Sequence, residues 1–212
     1  MLFSRVLSEL VADGMRPAMR LRSLDRDATL TALDEGELDL AVGFLPRVRR
    51  WHQHEVLYEE GHICLFNPHL LPLPVPVPIE AFATCGHIVP SLRGEMTSFV
   101  DEVLGERGLR RRVVATTAQF MAIPMILKAA PAIATLPARF AHFCANAAAL
   151  ATSPLPFPSP TFAVSMVWHR RDAGSLSIAW LRGRIRAAVS LAPELINAGR
   201  DGRPACSRAA EG

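Results

Sequence analysis

Residues 30–44 read LTALDEGELDLAVGF. Leu30 and Leu33 share one helical face, Gly36 stops the helix, and residues 38–44 (LDLAVGF) read as a buried strand ending at Gly43. The switch from helical spacing to a short apolar run predicts a helix feeding a strand of an α/β sheet. Working outward, Asp25 is a plausible cap for that helix. Leu2, Val6, Leu7, Leu10 and Val11 recur at helical spacing, so residues 2–12 form an amphipathic helix that Asp13-Gly14 ends. Residues 18–24 (AMRLRSL) alternate apolar and basic, which suits a strand. Helix, strand, helix, strand predicts a parallel sheet.

Downstream, residues 55–66 (EVLYEEGHICLF) are strand-like, and a proline run follows at Pro72, Pro74, Pro76 and Pro78. His87–Pro90 (HIVP) is a short apolar strand with Ser91 as a candidate helix cap, leading to a helix over 96–107 closed by Gly108. Strand, helix, strand and helix are expected at 113–116, 119–127, 132–136 and 138–150, with Pro124 in a first helical turn. A second proline run, Pro154, Pro156, Pro158 and Pro160, precedes a strand at 161–168 and a helix at 175–191; residues 198–212 read as a disordered tail. The middle block, 67–155, is then a complete α/β unit, and 1–66 with 156–197 form a second unit from two pieces. Two chain crossings, each expected beside a proline run, describe a hinged clamp with a cleft at the carboxyl ends of the strands.

Composition narrows the function. With 50% hydrophobic and 20% charged residues, the chain has the apolar content of a folded domain. A net charge of +3 is too dilute for a protein that coats nucleic acid. Lys128 is the sole lysine among 23 basic residues, a skew that suits a GC-rich genome since the arginines are spread along the chain. Cys64, Cys85, Cys144 and Cys206 have no CxxC spacing and read as reduced, buried thiols of a cytoplasmic protein. The opening MLFSRVLSELVADG carries charges unlike a secretory signal, and the uncharged stretch 140–169 holds four prolines, so no membrane span is expected.

Five motifs in register resemble the effector-binding domain of LysR-type transcriptional regulators. Leu33, Gly36, Leu38, Asp39, Leu40, Ala41, Val42 and Gly43 match an "L..G.LDLAIG" element. Leu57–Glu60 with the apolar strand Ile63–Phe66 match a crossover segment, and His87–Val89, Val100, Asp101, Leu104, Gly108 and Arg111 match "H.v…VD..L...G..R". Ala134–Ala141 match "iATlP.RfA"; Leu155, Pro156, Trp168–Arg170 and Trp180–Arg182 match "lP…mvWH.R…WLR". The last two look most like the branch that answers nodulation flavonoids and aromatic degradation intermediates. The resemblance covers residues 1 to about 190. It implies an α/β fold of two Rossmann-like lobes joined by two crossovers, of the type 2 periplasmic-binding-protein kind. It also implies a small aromatic or carboxylate effector, homo-oligomer contacts through this domain, and DNA contact through an N-terminal winged helix-turn-helix head. That head is missing from the sequence, and so is the strand that opens the family domain, so the first lobe is expected to be truncated, through a miscalled gene start or as a remnant. Exposed strand edges then lead us to expect poor behaviour of the chain on its own.

By the same resemblance, the effector lies between lobes, against strand ends and helix starts. Gly43 and Phe44 end one strand, where a glycine permits close backbone approach, although an ordinary strand-to-loop turn explains it equally. Pro90 and Ser91 stand where a helix N-terminus could offer N–H groups to a carboxylate, or where Ser91 simply caps. Gln119 could hydrogen-bond a phenol or carboxylate, and Phe120 could stack on a ring or pack in the core. His87 either faces the cleft or packs under the sheet. His52 and His54 lack a third ligand at metal-site spacing, and Arg47, Arg49, Arg50 and Arg110–Arg112 read as solvated loop charge. No cofactor or metal is expected. No GxSxG, HExxH, P-loop or GxGxxG is present, which speaks against an enzyme. A solute receptor for a transporter would use the same clamp but needs an export signal.

Overall fold

The computed structural model describes residues 2–12, 14 and 18–190. The disordered-tail expectation, the last residue of the expected terminal helix, Asp13 and Cys206 lie outside the described residues. In chain order the elements are α1 (Leu2–Ala12), α2 (Arg26–Glu35), β1 (Ala41–Gly43), β2 (His52–Glu60), β3 (His62–Phe66), α3 (Ile79–Thr84) and β4 (Gly86–Pro90). Then follow α4 (Phe99–Gly105), β5 (Arg112–Thr117), a 3-10 turn (Phe120–Ala122) leading into α5 (Ile123–Ala129), and β6 (Ala132–Pro137). The chain continues with α6 (Ala138–Ala148), β7 (Ala151–Pro154), β8 (Phe162–His169), a 3-10 turn (Arg170–Asp172) and α7 (Leu176–Ser190).

α2 begins and ends as its sequence reads. The Asp25 carboxylate accepts from the Asp27 and Ala28 N–H groups at 3.0 Å each, satisfying donors that a helix start leaves free. Gly36 turns the chain out at φ +75°, and Arg171 closes over that end, donating to the Leu33 and Asp34 carbonyls. A Cβ on Gly36 would stand 3.3 Å from the Arg171 guanidinium, a second reason for glycine there. A cation on terminal carbonyls is also favoured by the helix dipole.

Two sheets follow. β1, β8 and β2 form the first in that order, with β8 central and both pairings antiparallel. The second has the order β5-β4-β6-β3-β7; β4 runs parallel to β5 and β6, while β3 is antiparallel to β6 and β7. Adjacent residues of a strand face opposite sides, so Met166 enters a core with α1 and α7 while Val167 enters another with α2. The second sheet is likewise covered twice: Phe66, Phe82, Val100 and Leu104 pack on one face, Leu65, Ile123, Leu127 and Ala141 on the other.

Several expectations give way. Neither sheet is all parallel: the first is antiparallel throughout, built around β8, which arrives from the far end of the chain, and the second is mixed because β3 runs antiparallel to β6 and β7. Residues 18–24 have no ladder partner among the described residues; alternation prepares a strand, but a neighbouring backbone must complete it. The strand expected at 38–44 pairs over Ala41–Gly43 alone. The segment 55–66 is two strands in different sheets, divided at Gly61, so His62–Phe66 joins the sheet of the middle block and the first crossing precedes residue 66. The first proline run is therefore not at a crossing. It packs on the second lobe, with Val77 buried and its N–H donating to Ser153 Oγ at 2.9 Å. The second run does span its crossing, between β7 and β8. Ser91 starts no helix: α4 begins at Phe99, capped by Ser98 in a capping box with Asp101.

Candidate functional site

Both crossings leave the five-stranded sheet at one edge. β4, β5 and β6 end there at Pro90, Thr117 and Pro137, β3 starts there opposite Pro137, and β7 ends there opposite Ile63. The first sheet meets that edge with the end of β2 and the start of β8, since Glu60 pairs Phe162, while Phe44 follows the end of β1. The cleft between lobes is thus bordered by the carboxyl ends of the parallel strands, where open α/β sheets bind ligands.

Of the candidates from sequence, Gly43 closes β1, and a Cβ there would meet no protein atom within 4 Å, so packing does not demand the glycine. The Phe44 ring stands 5.2 Å from that of Phe162, with the Arg26 guanidinium 4.5 Å above its centre. Pro90 and Ser91 are at the cleft edge of β4, but without a helix dipole; Ser91 Oγ accepts from the Glu95 N–H at 2.8 Å and donates to the Glu95 carboxylate. Gln119 is exposed, its N–H donating to Thr117 Oγ1 at 3.0 Å, and Phe120 lies edge-on to Phe140 of α6 at 6.1 Å, a packing contact. His87 leaves the set. It is fully buried beneath α3, its Nε2 donating to the Phe82 carbonyl at 2.8 Å and its ring 4.6 Å from that of Phe82. Burial lowers its pKa to about 4, so the imidazole is neutral.

Four residues not singled out by sequence, Arg26, His62, Phe99 and Phe162, join Phe44 in a chain of ring and cation contacts. The ring of His62, first residue of β3, lies tilted at 5.0 Å from that of Phe162 and at 4.8 Å from that of Phe99, the first residue of α4. Phe44, Phe162, His62 and Phe99 therefore form a continuous aromatic run from one lobe to the other, with Arg26 over its first ring. Burial lowers the His62 pKa, which leaves a neutral ring. Nearby, Arg93 of the β4–α4 loop reaches Asp25 with Nε at 3.1 Å and Nη2 at 2.9 Å, and Asp27 with Nη2 at 2.8 Å. The hydrogen bond from Arg93 is the main reason the Asp25 carboxyl sits down at about 2. At the first crossing, the Arg139 guanidinium lies 3.5 Å over the Tyr58 ring and faces the buried Glu60, whose pKa is raised by burial. No sequence signal pairs these residues, because their partners lie on other elements.

Several other charged groups hold the fold together. Asp34 accepts from Trp51 Nε1 at 2.6 Å and His52 Nε2 at 2.8 Å and pairs with Arg49. His52 Nδ1 accepts from the Arg49 N–H at 3.2 Å, so both ring nitrogens are engaged and neither is available for proton transfer. Arg49 and Arg111 are thus not solvated loop charge. Arg111, with its side chain 2% exposed, holds Asp101 at 2.6 and 3.0 Å and Ser98 Oγ at 3.0 Å. Trp168 donates to Gln53 Oε1 at 2.9 Å under the Arg182 guanidinium, a packing role. Among the described residues no group of three His, Cys, Asp or Glu is placed to hold a metal, and no helix is long and apolar enough to cross a membrane.

This chain is similar to known proteins over most of its length. A family model described as the LysR substrate binding domain matches residues 1–190. The HTH-type transcriptional activator NahR of Pseudomonas putida is 30% identical over 160 residues, which cover 74% of this chain and 53% of that protein. Nodulation protein D 1 of Bradyrhizobium japonicum is 31% identical over 189 residues, covering 86% and 57%. The chain spans about half the length of the curated relatives it matches. The regulatory domain of MexT, a transcriptional activator in Pseudomonas aeruginosa, shares the fold with a TM-score of 0.75 at 23% identity, over 88% of this chain and 90% of that one.

Proposed function

The chain belongs to the LysR substrate binding domain family, and from that premise we propose that it is the ligand-sensing part of a cytoplasmic transcriptional regulator. A small aromatic effector, carrying a carboxylate or phenol, binds in the cleft between lobes. It favours one arrangement of the lobes over another, and the domain passes that bias to a DNA-reading module through contacts between copies. A ligand shifts such an equilibrium only by its differential affinity for the two arrangements, so no covalent chemistry is involved. The function is regulatory, not enzymatic.

The observation that carries this reading is the aromatic run Phe44–Phe162–His62–Phe99 with Arg26 over its end. Flat rings offer offset or edge-on contact to an aromatic ligand, and a guanidinium beside them offers a charge-assisted hydrogen bond to its carboxylate. Calorimetric titration with benzoate and with cyclohexanecarboxylate tests it. Benzoate is expected to bind more tightly, and Phe162→Ala to lose up to about tenfold in benzoate affinity, the size of one aromatic contact. Equal affinity for the two acids, unchanged in folded Phe162→Ala, would remove the aromatic run from the site.

A further inference from the structure

We propose that Arg93 is an interlobe latch, a cation from the second lobe that clasps the acidic start of α2 in the first and holds the lobes in their observed arrangement beside the cleft. The contact joins residues 68 positions apart in sequence and two different sheets' lobes. Its geometry is a fork. Nε and Nη2 meet the two oxygens of Asp25 at 3.1 and 2.9 Å, and Nη2 also reaches Asp27 at 2.8 Å. Exposed ion pairs are weak as a rule, and bidentate guanidinium–carboxylate networks are the exception.

Both ends of the latch are anchored. Asp25 is the N-cap of α2, and Arg93 stands in a loop braced at one end by Ser91 and Glu95 and at the other by Ser98, the cap of α4. Gly94, at φ +79°, supplies the turn next to Arg93. The Asp25 carboxylate is saturated: Oδ1 accepts two α2 N–H groups and Nη2 of Arg93, and Oδ2 accepts Nε. Seating Arg93 and starting α2 therefore share one group. Arg26, between the two acids, covers the first ring of the aromatic run, so the latch borders the proposed ligand cleft. Its consequence for sensing rests on that cleft being the effector site; its existence does not.

The test is the distance distribution between spin labels on Glu35→Cys in α2 and Glu102→Cys in α4, with Cys206→Ser, measured without ligand. Both label positions are exposed, while Cys64, Cys85 and Cys144 are buried. Arg93→Ala is expected to shift the distribution to longer, broader values, Arg93→Lys to shift it less, and the exchange Asp27→Arg with Arg93→Asp to restore part of the change. About 1 M NaCl, where the screening length is about 3 Å, is expected to reproduce the shift in the unsubstituted latch, whatever the folding of the variants. An unchanged distribution in folded Arg93→Ala, or one insensitive to salt, overturns the latch. Benzoate titration of the same proteins reads the effector cleft separately: no binding alongside a salt-sensitive distance sinks the effector reading and leaves the latch standing.

Discussion

The two lobes are held together in different ways. Both sheets carry an apolar cluster on each face, but the second has five strands and most of the largest fully buried side chains, Phe66, Phe82, Leu104, Ile133 and Leu136 among them. The first has three strands, one of them three residues long, and relies more on polar ties. Asp34 gathers Trp51, His52 and Arg49, Arg171 caps α2, and Glu55 on β2 pairs with Arg186 and Arg182 of α7. The difference teaches where rigidity and adjustment reside. Close packing resists small displacements, whereas a surface of ion pairs and ring contacts can be re-made in a second arrangement.

The strongest way to break this comparison is in the second lobe. Phe82 is fully buried against His87 and Phe157, and Phe82→Ala is expected to cost about 3–5 kcal/mol by losing apolar burial and leaving a cavity. Urea unfolding should show the whole transition moving; an unchanged midpoint would mean the second lobe is not the stabilising core. Acid touches both lobes next. His87 falls from 6.5 to about 4, and His52 and His62 are also lowered, all chiefly by burial. A histidine kept neutral in the fold takes up protons more readily when unfolded. Its contribution is therefore complete above pH 6.5 and is lost as pH falls toward 4, by about 3 kcal/mol for His87. Denaturation across that window should show the loss, and a folded His87→Phe protein should show less of it.

The smallest effect sharpens the comparison within the first lobe. Asp34→Ala strips partners from the His52 and Trp51 ring N–H groups and from Arg49, at a cost of about 2 kcal/mol. Hydrogen exchange should quicken in α2 and at the start of β2 while β4 and β6 keep their protection. Uniform loss across both sheets would show that the lobes unfold as one unit.

Much of this was legible in the chain. Asp25 and Gly36 bracket α2 because capping and left-handed turns are decided within a few residues. HIVP and AIATL become β4 and β6 because short apolar runs flanked by helices suit strands buried on both faces. Residues 18–24 misled because alternation is a local property and pairing is not. Ser91 misleads because a serine after a strand suits a helix cap, whereas its hydroxyl closes a loop onto Glu95 and the true cap lies at Ser98. His87 went to the core because its ring nitrogen found the Phe82 carbonyl, a partner set by how α3 lies over β4.

By itself, then, the sequence determined the family, the α/β class, most helices and the strands β4, β5 and β6 of the second lobe, since these follow from spacing, capping and turn chemistry among near neighbours. The tertiary structure alone decided the antiparallel first sheet, the crossing at Gly61, the aromatic run across the cleft and the clasp of Arg93 on Asp25. Those features join residues far apart in the chain, and such contacts exist only after both lobes have closed around their own cores.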